Sequence, residues 1–189
     1  MKLILASQSP RRRELLSQVG YDFEIVVPSE SAECGMCSGE STPEMVARYA
    51  YQKAVDIRPR IDGDAIIIAC DTVADIQGQM LGKPNDRDHA EKMLRVLSGR
   101  MHRVFSGLCV WRLPEGEPDV QVAKSELMMD QLSDAQIQTY LDTDDWVGKS
   151  GAFGYQDGHP WLKLISGTAS NVVGLPLDLL REMLAPHGV

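Results

Sequence analysis

No apolar run in this 189-residue chain approaches the roughly 20 residues that a membrane-crossing helix requires. Met1-Lys2 leads straight into a strand pattern rather than into a signal peptide. A membrane partner is therefore not expected, and a cytoplasmic location is. Positive charge is also in short supply, with 19 Lys and Arg against 27 Asp and Glu for a net −8, so the surface should repel nucleic acid. Any cluster of arginines must then be a local site. Cysteine is sparse, and of the four only Cys34 and Cys37 stand at C-x-x-C spacing. A structural zinc needs two further ligands and no second such pair exists, so these two read as reduced thiols in a loop. Cys70 and Cys109 lie inside apolar runs and read as packed small hydrophobes. There is no internal repeat and no low-complexity tract, and the length suits one domain over residues 1–189 with a full core.

What is present is concentrated at the start. Leu3 to Ala6 reads as a buried strand, Ser7 to Ser9 as a tight connection and Pro10 as a first-turn helix residue, with Ser9 at the N-cap. Arg11, Arg12 and Arg13 then begin on the first helical turn. Three cations at the positive end of a helix dipole repel it and one another unless an anion compensates, and guanidinium forks pair well with phosphate oxygens. The stretch is read as a phosphate site.

Further on, Gly20 should close the first helix, Tyr21 to Val27 alternates as a strand does, and Pro28 to Ser41 is an aperiodic loop carrying Glu30 and Glu33. Those carboxylates are either surface decoration or metal ligands. Ser41-Thr-Pro-Glu44 is a capping box opening a helix to about Arg58, with Lys53 near its apolar stripe. Ala65 to Ile76 is the most strand-like stretch, apolar on both faces as a covered central strand should be, and Asp71 interrupts it. A carboxylate there is costly unless it is paired or binds metal, and aspartate is a hard ligand suited to magnesium. Leu81 to Pro84 forms a loop carrying Lys83, a helix runs from a cap at Asp86 to Leu97, and 101–132 reads as a long hairpin with His102 in a structural place. A capped helix from Ser133 to Leu141, a glycine-rich loop over Gly148–Gly158, a strand from Trp161 to Ile165, a loop over 167–174 and a closing helix to Leu184 complete the chain.

Together these pieces resemble the Maf family of nucleoside triphosphate pyrophosphatases over essentially the whole chain. The most specific match is Leu5-Ala-Ser-Gln-Ser-Pro-Arg-Arg12, followed in order by Asp71-Thr72, Gly82-Lys83-Pro84, Leu97-Ser98-Gly99 with His102, Gly151-Ala-Phe-Gly154 with Gln156, and Val173-Gly-Leu-Pro176. The resemblance implies a two-lobed α/β fold around a long curved mixed sheet flanked by helices, similar to inosine triphosphate pyrophosphatases, and a homodimer. It implies cleavage between the α and β phosphates with a divalent metal, magnesium or manganese. By the same resemblance Ser7, Ser9, Arg11, Arg12, Lys53 and Lys83 hold the triphosphate, with Lys83 also serving the catalytic step. Asp71 acts as general base or metal ligand, and an acidic-loop carboxylate, Glu33 ahead of Glu30, helps to hold the metal. Arg11, Thr72 and Gln156 match the subgroup resembling pyrimidine-nucleotide hydrolases, so dTTP and UTP are the expected substrates. The alternatives are 7-methyl-GTP or another modified nucleotide, or a nucleotide-binding regulator of septum formation. The chain departs from the family pattern at Ala69-Cys70, at Ser150 and in an addition over Cys34–Gly39, which leaves the choice between Glu30 and Glu33 open.

Overall fold

The computed structural model describes residues 1–189 except Glu33, Cys34, Met36 and Ser38. Its centre is a seven-stranded sheet in the order β2-β1-β3-β5-β6-β7, with β4 beside β3. The strands are β1 (Lys2–Ala6), β2 (Phe23–Ile25), β3 (Ala65–Ile76), β4 (Gln79–Leu81), β5 (Met101–Leu113), β6 (Pro118–Met129) and β7 (Leu162–Ser166). The helices are α1 (Pro10–Gln18), α2 (Thr42–Ile57), α3 (Arg87–Leu97), α4 (Asp134–Leu141), α5 (Ala169–Val173) and α6 (Leu177–Leu184). β1 is parallel to both β2 and β3, whereas β3 pairs antiparallel with β4 and β5 and the remaining pairs are antiparallel. The sheet is mixed and flanked by helices, as expected.

Alternation along the buried strands decides what each face carries. Leu3, Leu5, Ile66, Ile68 and Cys70 point to the side covered by Leu16 of α1 and by Leu180, Met183 and Leu184 of α6. Ile4, Ala6, Ile67 and Ala69 point to the other side, covered by Ala50, Ala54 and Ile57 of α2. Farther along β3 and β5 the partners change: Ala74, Ile76 and Val104 join Leu94 and Leu97 of α3 and Ile137 and Leu141 of α4. The long strands thus carry separate apolar clusters at their two ends. Cys70 and Cys109 are buried free thiols within these clusters, as the apolar runs implied, and Cys37 is an exposed free thiol while its neighbour in the motif, Cys34, lies outside the described residues.

Two short elements escape a reading by pattern. β4 is three residues long, too short to display a period, and α5 lies in a stretch that reads as loop. The expected hairpin forms over β5 and β6, ending at Met129 rather than at 132. The capping boxes form as read, with Ser41 N–H donating to Glu44 (2.8 Å) and Ser133 N–H to Gln136 (2.9 Å).

His102 is buried edge-on against the Phe153 ring, with centroids 5.1 Å apart, a packing role. Burial pushes its pKa down to about 4 from the ordinary 6.5. The imidazole is therefore neutral in the fold and takes up a proton more readily in the unfolded chain, so its contribution is complete above pH 6.5 and is lost as the pH falls toward 4. Wild type should lose about 3 kcal/mol of unfolding free energy between pH 7 and pH 4 that His102→Leu does not lose. Urea unfolding of both proteins across that range measures it, and parallel pH curves would refute it.

Candidate active site

The cleft opens where β3 loses its neighbour along one edge. β5 covers the other edge from Ala65 to Asp75. On the open edge β1 accompanies β3 only as far as Ala6 opposite Ala69, and β4 joins only from Ala74. Cys70 to Val73 therefore border a gap at the carboxyl end of β1, the place where ligands gather in open α/β sheets. A cavity of about 1080 Å³ lies there.

Alternation sends Asp71 to the α2 face and Thr72 to the α1 face, so cations reach them from opposite sides. From α2, Lys53 Nζ donates to Asp71 Oδ1 at 2.6 Å and to the Cys70 carbonyl at 3.4 Å. Both partners are nearly enclosed, with Lys53 7 % and Asp71 9 % exposed, so losing the lysine would cost the buried carboxylate its ion pair. The carboxylate at the heart of the strand thus has the partner its burial demands.

From α1, Arg12 is fixed at three points. Its Nε donates to the Gly174 carbonyl at 2.7 Å, Nη2 to Thr72 Oγ1 at 3.2 Å and Nη1 to Ser7 Oγ at 3.5 Å. Arg11 Nη2 donates to the Gly148 carbonyl at 3.0 Å. Burial, and then the adjacent Arg12 charge, lower the Arg11 pKa, the direction a bound polyanion would reverse. Among the described residues no carboxylate ion-pairs with Arg11, Arg12 or Lys83. Arg13 is exposed and does not line the cavity. Ser9 stands at the N-cap position of α1 without a side-chain cap bond, its N–H donating to Ser7 Oγ at 3.1 Å.

The cavity lining brings together Ser7, Ser9, Arg11, Arg12, Lys53, Asp71, Thr72, Lys83 and Gln156, residues spread over 150 positions of chain. Lys83 is an exposed residue of the loop after β4, and Gln156 is exposed on the glycine-rich loop. The Thr72 hydroxyl is engaged inward, accepting from Arg12 and lying 2.8 Å from Ser106 Oγ and 3.3 Å from the Gly174 carbonyl. Its place is to hold Arg12 as much as to face a ligand. Glu30 lines the cavity, whereas Glu33 lies outside the described residues.

A divalent cation fits this donor set in chemical terms. Asp71 Oδ2 has no hydrogen-bond donor among the described residues, and the Glu30 carboxylate borders the same cavity, giving hard oxygen ligands suited to magnesium or manganese. A second acidic group, Asp145, Asp157 and His159, has ligand atoms within 4.8 Å of one another. In that group Asp157 is already ion-paired to Lys149.

Sequence reasoning missed Lys149, Ser150, Tyr155 and the Gly174 carbonyl. Ser150 Oγ donates to the Thr72 carbonyl at 3.0 Å, and Gly151 N–H to the Gly82 carbonyl at 3.0 Å, which ties the glycine-rich loop to both β3 and the Lys83 loop. A lysine and an aspartate bracketing a glycine-rich run were the signal available for the first of these; the carbonyl leaves no trace in a sequence.

Fold and site together define an α/β protein with a cation-lined cleft built around one buried aspartate. The chain belongs to the Maf family, whose model, described as "Maf-like protein", matches residues 2–187. It is 55% identical over 183 residues to a dTTP/UTP pyrophosphatase of Rhodopirellula baltica, covering 96% of this chain and 80% of that protein. A dTTP/UTP pyrophosphatase of Alkaliphilus oremlandii is 39% identical over 187 residues, with coverage of 98% and 96%. Among solved structures, the Staphylococcus aureus Ham1 protein superposes with a TM-score of 0.53 at 10% identity, covering 99% of this chain and 100% of that one, which is a likeness of fold alone.

Proposed function

We infer that this chain hydrolyses nucleoside triphosphates, dTTP and UTP by preference, between the α and β phosphates to a monophosphate and pyrophosphate. The observation that carries the reading is the gathering of Arg11, Arg12, Lys53 and Lys83 around the buried Asp71 in one cleft, in a chain closely similar to two proteins named dTTP/UTP pyrophosphatases. A triphosphate carries nearly four negative charges, and the departing pyrophosphate gains more as the bond breaks. Cations already fixed by the fold stabilise that growing charge without having to reorganise, and Arg12 is held by three bonds before any ligand arrives. The Ser7 and Ser9 hydroxyls and the start of α1 add donors to the same end of the cleft. Asp71 orients the attacking water or ligates the cation, and Lys53 fixes the carboxylate for either task.

Asp71 with Glu30 or Glu33 would hold magnesium or manganese, which when bound supplies charge neutralisation at the phosphate oxygens. Gln156 offers a donor and an acceptor that match the edge of uracil or thymine. The Arg11, Thr72 and Gln156 set supports pyrimidine nucleotides over 7-methyl-GTP. The homodimer implied by the resemblance and the cytoplasmic location expected from the sequence belong to the same proposal; among the described residues, no helix is long and apolar enough to cross a membrane.

A panel of dTTP, UTP, CTP, GTP and 7-methyl-GTP with magnesium or manganese tests the reading. Pyrophosphate release should be fastest from dTTP and UTP. Binding without pyrophosphate release would instead make the protein a nucleotide-binding regulator, and fastest cleavage of 7-methyl-GTP would overturn the base preference.

A further inference from the structure

We propose that the ion pair between Lys149 and Asp157 is a positioning device that sets the height of Gln156 over the cleft and so governs nucleotide selectivity. This rests on the pyrimidine-nucleotide reading above.

Gln156 is itself exposed in a single short turn, Tyr155–Asp157, which is held on one side where Tyr155 packs against the core and leaves the Asp157 side to be fixed. Asp157 is the next residue. Its carboxylate reaches back across the loop to Lys149, and the paired side chains are only 11% and 16% exposed. A pair this shielded is held far more firmly than a surface bridge. The loop between the partners is clipped to the rest of the site at Ser150 and Gly151, and Arg11 holds the Gly148 carbonyl beside Lys149. The ion pair therefore transfers the rigidity of that anchored end to the turn carrying Gln156.

Gly154 supplies an independent sign that the pair is built in. Its backbone is extended (φ −119°, ψ 117°), a conformation open to any residue, so no turn requires glycine there. The space for a Cβ is filled by the Asp157 carboxylate and the Lys149 ammonium. The position is small because the pair passes over it. Alanine at 154 would displace the ends of two side chains rather than backbone, breaking the pair while keeping both charges.

The test compares wild type, Asp157→Asn and Gly154→Ala by kcat/KM for UTP and GTP and by inhibition with inorganic pyrophosphate. Both variants should lose about tenfold in kcat/KM for UTP, a cost expected when a substrate-positioning group is misplaced. The UTP:GTP ratio should fall by a similar factor, and the pyrophosphate inhibition constant should stay within about twofold, because Arg12 and Lys53 are anchored outside this loop, at Ser7, Thr72, Gly174 and Asp71. Should Asp157→Asn not fold, Gly154→Ala carries the test. An unchanged UTP:GTP ratio in a selective enzyme overturns the role of the pair alone. Parallel weakening of UTP turnover and pyrophosphate binding also overturns it, since that is what a merely structural pair would give. A wild type with no preference for UTP defeats both the pair and the reading beneath it.

Discussion

Asp71→Asn is expected to reduce pyrophosphate release from UTP at least about a thousandfold, the scale of losing a positioned base or a metal-binding carboxylate. Nucleotide binding in metal-free buffer should change little. The amide keeps an oxygen that can accept the bond from Lys53 Nζ, now made to Asp71 Oδ1 at 2.6 Å, so the geometry around the strand is preserved. The amide lacks the negative charge that either proposed task requires. Arg12, Ser7 and Lys83 are bonded or placed independently of it, so the phosphate grip remains. Single-turnover hydrolysis and calorimetric titration with UTP separate the two effects. Wild-type turnover in this variant would remove Asp71 from the chemistry, and loss of binding together with turnover would recast it as part of the grip.

Gly107→Ala should cost about 3 kcal/mol or more, a large loss for one methyl group. Gly107 sits on β5 opposite Asp71. A Cβ there runs into the main chain of α2 at Val46 and Ala47, which cannot swing aside as a side chain can. α2 crosses the sheet at this close approach and delivers Lys53 to Asp71 seven residues after Val46, so the strain would reach the site as well as the core. Gly82→Ala is the control, because no atom lies within 4 Å of its Cβ position. Urea midpoints should drop sharply for the first variant and stay near wild type for the second, with equal slopes. Equal midpoints would mean that α2 can lift from the sheet without penalty.

Both predictions turn on contacts that only folding creates, although their participants were partly visible beforehand. Asp71 stood out because a carboxylate in a β-branched apolar strand needs a reason. Lys53 stood near an apolar stripe, where snorkelling to water was the ordinary outcome; burial beside Asp71 is instead what the structure gives it. Ser7 to Arg12 was legible as a cation cluster at a helix start from charge against a helix dipole, and the structure places Ser7, Ser9, Arg11 and Arg12 on the cleft. Thr72 was read as a marker of the pyrimidine-nucleotide subgroup, and its inward bonds to Arg12 and Gly174 depend on a carbonyl that follows it by about a hundred residues. Glu33 was selected from an acidic loop and lies outside the described residues, and Glu30 is the carboxylate of that loop seen at the cleft.

The sequence by itself determined the local order: strands from runs and alternation, helix starts from capping boxes, the cation cluster at α1 and the carboxylate in β3. Those are set by neighbours a few residues apart, whose preferences hold in any context. Tertiary structure decided the rest. Only strand pairing leaves the edge of β3 open between Ala69 and Ala74, and only the two faces of that strand bring Lys53 to Asp71 and Arg12 to Thr72 from opposite sides. Likewise the Lys149–Asp157 pair and the missing side chain at Gly154 explain each other in space alone, because side-chain packing across a loop has no period for a sequence to display.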